Sequence, residues 1–145
     1  MKPLMQSWQF WALVSAGFAA LTAIFGKLGV AAINSDMATL IRTGVILVVT
    51  LILVLVSGQW VAMRAVPRAT WLFLVLSGLA TGASWLAYYR ALKLGEASRV
   101  ATIDKLSVVM VAIFAAIFLG ERLAAVNWLG VGLIAAGAVL VAMRF

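Results

Sequence analysis

Three charges stand inside apolar sequence, Arg42 in one stretch and the adjacent Asp104 and Lys105 in another, and any chemistry this chain does has to start from them. A charge near the middle of a bilayer costs between about 2.5 and 10 kcal/mol or more, so such residues face protein or water. Arg42 falls about one and a half turns into its stretch, and Asp104 and Lys105 fall about as far into theirs. Both stretches enter from the same membrane face, so the three share a depth and Arg42 can pair with Asp104. Asp104 and Lys105 are neighbours on one helix and point about 100° apart, which leaves them unable to satisfy each other. One of the two then faces a cavity or another helix.

Two readings of this cluster stay open. In one, Arg42 and Lys105 snorkel to the headgroups and Asp104 is a structural counter-ion. In the other, the three line a polar vestibule that contacts a small-molecule substrate. Acid–base catalysis fits neither, because no second carboxylate or polarising group stands nearby. Trp85, Tyr88 and Tyr89 lie within one turn of each other. They can anchor a helix end at the interface or line a path for amphipathic or cationic solutes through cation–π contact. Trp85, the deepest of them, is the better lining residue.

Composition narrows the classes further. Of the 145 residues, 66% are hydrophobic and 10% charged, against about 45–50% and about 25% in soluble domains. The chain has neither cysteine nor histidine, which removes disulfides, thiol nucleophiles, His-based triads and the commoner transition-metal sites. No cofactor or metal is expected. The net charge is +7, but the basic residues sit singly or in pairs at the edges of apolar runs, a placement that suits lipid headgroups and not a nucleic acid.

The elements that must position these residues are five apolar stretches, at about 8–26, 37–57, 70–89, 100–119 and 124–143, each near the ~20 residues a crossing needs. The expected fold is therefore an all-α integral membrane protein, a bundle of five transmembrane helices in one domain over 1–145. Loops of a few residues carry the turn chemistry: Asn34, Ser35 and Asp36, then Ser57, Gly58 and Pro67, then Gly95 and Ser98, then Gly120. They make consecutive helices antiparallel neighbours. Trp8, Trp11, Trp60, Trp71 and Trp128 lie near helix ends as an aromatic belt. Gly78 with Gly82, and Gly132 with Ala136 and Gly137, have the small-residue spacing that permits close helix contact. The first stretch, uncharged from Pro3 to Gly26, is longer than the core of about 7–15 residues in a secretory signal, and is read as a span.

Five crossings put the termini on opposite sides. Lys2, Arg64, Arg68 and Arg122 fall on the N-terminal side, against Lys27, Arg90, Lys93, Arg99 and Arg144 on the other. Lys and Arg excess marks the cytoplasmic side, and this near tie is compatible with one orientation or with insertion both ways. Two opposed copies would build an inverted-repeat body of ten helices.

From Trp85 onward the residues carry a resemblance: Tyr88 to Ser98, then Val100 and Ala101, then Leu119-Gly120-Glu121-Arg122-Leu123, then Leu129, Gly130 and Gly137. The chain resembles the EamA-like domain of the drug/metabolite transporter superfamily, with Arg42 matching that family's membrane-embedded arginine. Relatives mostly carry two such five-helix repeats in opposite senses and export small metabolites. This chain resembles the short branch with a single repeat. The resemblance implies the five-helix fold and small-solute transport; with the near tie in loop charges, the chain is expected to be a multi-pass exporter in the cell membrane acting by alternating access as an antiparallel homodimer or with an oppositely oriented partner, and not an enzyme. The alternative is a membrane scaffold or partner subunit without transport. Many two-repeat relatives have uncharged residues where Asp104 and Lys105 stand, so their substrate contacts do not carry over to that helix. Gly120, Glu121 and Arg122 are expected to shape the short turn into the last helix.

Overall fold

A computed structural model describes residues 7–143. Lys2 and Arg144, counted above among the orientation charges, lie outside them. Every described element is a helix: α1 Trp8–Val30, α2 Ser35–Val56, α3 Arg68–Leu94, α4 Ala97–Asp104, α5 Leu106–Phe118 and α6 Ala125–Ala142, with a short 3-10 turn at Met63–Ala65 between α2 and α3. Five spans are long and apolar enough to cross a membrane, α4 and α5 together forming the fourth, Ala97–Phe118. The chain is thus all-helical and multi-pass.

The helices form without help from water. Leu47, Leu53, Phe73 and Leu74 remain exposed in mid-helix, where lipid tails and not solvent are their neighbours. Buried positions are mostly small, as at Ala23, Ala38, Ala115 and Ala138, with Val30 and Leu92 fully buried; without a hydrophobic driving force between helices in lipid, close approach of backbones does the packing. Hydroxyls inside the spans turn back on their own helix: Thr39, Thr43, Thr81 and Thr102 donate to the carbonyls of Ser35, Thr39, Ser77 and Ser98 at 2.7–2.9 Å, which satisfies them where no water can.

The ends follow capping rules. The Asn34 side chain accepts from the Asp36 N–H at 2.8 Å and starts α2. Gly58 and Gly120 have φ of 66° and 67°, the left-handed conformation that glycine adopts without penalty. At Gly120 the reversal lets the Ala115 carbonyl accept from both Leu119 and Glu121 N–H groups, at 3.0 and 3.1 Å. Glu121 and Arg122 are exposed in the turn that follows.

The chain divides into two compact units, Gly26–Lys93 and the remainder, which comprises the residues up to Phe25 and those from Leu94 on. In the second unit α6 packs against both α4 and α5. The fourth span, expected as one continuous helix from 100 to 119, begins at Ala97 and is interrupted at Lys105. There Lys105 N–H donates to Thr102 O and Val108 N–H to Lys105 O, tightened i to i+3 bonds that end one helix and begin the next.

Candidate functional site: an arginine on a tryptophan face

Within the unit Gly26–Lys93, α2 and α3 are antiparallel, so the start of one meets the end of the other. Arg42 lies seven residues past Ser35, about 10 Å along α2. Trp85 and Tyr89, four apart, share one face of α3. The Arg42 guanidinium carbon stands 3.7 Å above the Trp85 ring centroid and 5.5 Å from that of Tyr89. Arg42 and Trp85 are half-buried, whereas Tyr89 is buried and meets Tyr88 edge-on with ring centroids 6.4 Å apart. A cation on an aromatic face gains about 0.5–2 kcal/mol, the more when desolvated. The stack therefore holds the guanidinium in place but does not neutralise it.

A cationic solute would use a ring face of Trp85, and over one of its two faces the protein's own Arg42 already lies. The edge of a guanidinium is a planar fork of N–H donors suited to carboxylate or phosphate.

Around this stack three contacts tie the same end of the unit together. Arg90 grips Asp36 with two bonds, Nε to Oδ1 at 3.3 Å and an Nη nitrogen to Oδ2 at 3.1 Å. Lys27 donates to the Leu92 carbonyl and Lys93 to the Ile33 carbonyl, each at 2.6 Å. The last turns of α1 and α3 can hence keep their charges: the Leu92 carbonyl is one that the end of α3 leaves unsatisfied, and the Ile33 carbonyl lies in the turn between α1 and α2. Because the Asp36–Arg90 pair is a two-bond fork, Asp36→Asn and Arg90→Gln should lower the melting temperature of the purified protein similarly. The double variant should melt close to either single one. Additive losses would show that each residue has its main partner elsewhere.

Gly26 is the residue that lets α1 approach. A Cβ built there would stand 3.1 Å from the Tyr89 hydroxyl and 3.3 Å from Leu92 Cδ1. The glycines with recognisable four-residue spacing do not play this part: a Cβ at Gly78, Gly82, Gly132 or Gly137 would have nothing within 4 Å. Gly26 stands outside those four-residue spacings, and the partner that makes it necessary is sixty-odd residues away on α3.

Asp104 and Lys105 belong to the other unit. The expectation that they cannot satisfy each other is corrected: Lys105 Nζ lies 3.6 Å from Asp104 Oδ2. The 100° argument assumes one unbroken helix, and the break at Lys105 removes that assumption. Arg99 and Glu96, at the start of α4, form a further pair at 3.1 Å. Asp36 was read from sequence only as a turn residue, and its carboxylate is the one that organises the cluster at α2's start. Among the described residues no group of three His, Cys, Asp or Glu comes together as a metal site.

A family model described as the EamA-like transporter family matches residues 6–143. A Sinorhizobium sp. protein named an uncharacterized transporter in the cobO 3′ region is 68% identical over 140 residues, covering 97% of this chain and 99% of that protein. No solved structure matches the chain.

Proposed function

The chain belongs to the EamA-like transporter family, and from that premise we propose that it moves small solutes, metabolites or drugs, outward across the cytoplasmic membrane, by alternating access in an antiparallel homodimer. The observation that carries this is the combination of an odd number of spans with one embedded, stacked arginine. One chain supplies five spans, half of the ten-helix body that an inverted repeat requires. The Arg42–Trp85–Tyr89 stack supplies a charge within a span, and a charge kept at that cost faces protein or water and not lipid.

Catalysis is the weaker reading for the same residues. A guanidinium offers donors and no acceptor, so Arg42 is suited to binding and orienting a solute. Rocking one copy against its opposed partner would expose the guanidinium to each side in turn.

Flux tests the proposal. The full chain, purified and reconstituted in liposomes, is expected to move at least one solute from a panel of carboxylates, amino acids, organic phosphates and lipophilic cations, with the rate compared with and without a proton gradient. Arg42→Gln should cut that flux by about tenfold or more, the scale on which one embedded charged contact acts. Folded protein that moves nothing in the panel would argue for a scaffold in place of a transporter.

A further inference from the structure

We infer that Arg42 is an oxyanion-binding centre, taking the carboxylate or phosphate of a solute, or of a lipid headgroup, on the edge of its guanidinium. The inference rests on the transport reading only in assigning the anion as cargo; the binding itself does not depend on it.

Charge accounting within the unit leads there. Between Gly26 and Lys93 the basic residues are Lys27, Arg42, Arg64, Arg68, Arg90 and Lys93, and the one acid is Asp36. Both carboxylate oxygens of Asp36 are engaged by Arg90. Lys27 and Lys93 discharge part of their demand on main-chain carbonyls, and Arg64 and Arg68 lie outside or at the end of a span. Arg42 alone is set two turns inside a span, and its contacts in the unit are ring faces. A ring quadrupole offsets part of the cost of a desolvated cation and leaves its charge in place. Five N–H donors cannot be satisfied by a π face.

Geometry then selects the kind of anion. The Arg42 guanidinium carbon lies 3.7 Å from the Trp85 ring centroid, which holds the group beside the ring. The guanidinium is itself planar and presents its donors as parallel pairs, which match two oxygens of a carboxylate or phosphate and not a spherical halide. The same contact disfavours cations, since the guanidinium charge repels them and covers one face of the Trp85 ring.

The test measures binding without flux. Purified full-length protein in dodecyl maltoside, a detergent without oxyanions, is titrated with sodium phosphate, with sodium benzoate, and with micelles doped with phosphatidylglycerol, while the melting temperature is followed; sodium chloride at matched ionic strength is the control. Ligand that binds only the folded state raises that temperature with concentration. At least one oxyanion should do so where chloride does not, and its half-saturating concentration should rise about tenfold or more in Arg42→Gln, the scale of one charge-assisted fork. Arg42→Lys, which keeps the charge and loses the fork, should also bind more weakly than wild type, and it decides the matter if the Gln variant does not fold. A response to phosphate or benzoate makes the anion a solute; a response to phosphatidylglycerol alone makes it a headgroup. If no oxyanion stabilises wild type beyond chloride, or if Lys and Gln variants respond as wild type does, the inference is overturned. Flux that persists with no anion binding would leave transport standing and remove this site, whereas binding without flux would do the reverse.

Discussion

A chain given two or three extra lysines in a single loop should insert in one orientation and lose transport when expressed alone, then regain it beside a second variant biased the other way. The expectation follows from the loop charges. Arg64, Arg68 and Arg122 lie in loops or helix starts on one side, and Lys27, Arg90, Lys93 and Arg99 at helix ends on the other. The Lys and Arg bias sets orientation when nothing stronger does, and here it is nearly balanced. Added lysines between Gln59 and Val66 would weight one side, and added lysines between Leu94 and Ala97 the other. A reporter fused after Phe145 should read on both sides for wild type and on one side for each variant. Flux should be near background for either variant alone and return in the mixture, because an inverted repeat made of two copies needs both senses. A wild-type reporter confined to one side, with flux intact, would sink the antiparallel dimer and leave a parallel assembly or a distinct partner.

Why the helix number was readable and the ends were not comes down to where each signal is local. Apolar length is local, and all five spans were placed from it. The ends were set short at Gly26 and Tyr89 because Lys27, Arg90 and Lys93 look like interface residues. In the structure α1 runs on to Val30 and α3 to Leu94, since each of these charges finds a partner on a distant segment: Leu92 O, Asp36 and Ile33 O. The break at Lys105 was missed for a related reason. Neither glycine nor proline marks it, and only the tightened bonds around Lys105 do. At the site, Arg42 and Trp85 were both singled out, one by charge and one by depth. Their stacking was not, because it depends on the pairing of α2 with α3. Tyr89 looked like an anchor and is instead buried between Gly26 and the Arg42 stack.

That position of Tyr89 makes Gly26 the point where packing and site meet, and Gly26→Leu should damage both. Leucine is a good helix former, so a loss there reports crowding and not propensity. A side chain starting 3.1 Å from the Tyr89 hydroxyl and 3.3 Å from Tyr89 Cζ and Leu92 Cδ1 has no room to extend. Forcing extra atoms into such a contact costs about 1–3 kcal/mol. Tyr89 must yield, and with it the ring that flanks Arg42 at 5.5 Å, so stabilisation by phosphate or benzoate should weaken together with the melting temperature. Gly26→Ala is the finer probe. It gains about 0.5–1 kcal/mol from helix propensity against a clash of only a few tenths of an ångström, so its net effect depends on what the tyrosine hydroxyl can do. Removing that hydroxyl separates the two: Gly26→Ala should be more favourable in a Tyr89→Phe background than beside Tyr89, with a coupling of about 0.5 kcal/mol or more, as expected for residues in direct contact. Thermal melts of the four proteins measure it. Strict additivity, together with a Gly26→Leu protein that melts like wild type, would mean that α1 does not press against Tyr89 and that the aromatic cradle of Arg42 is held in some other way.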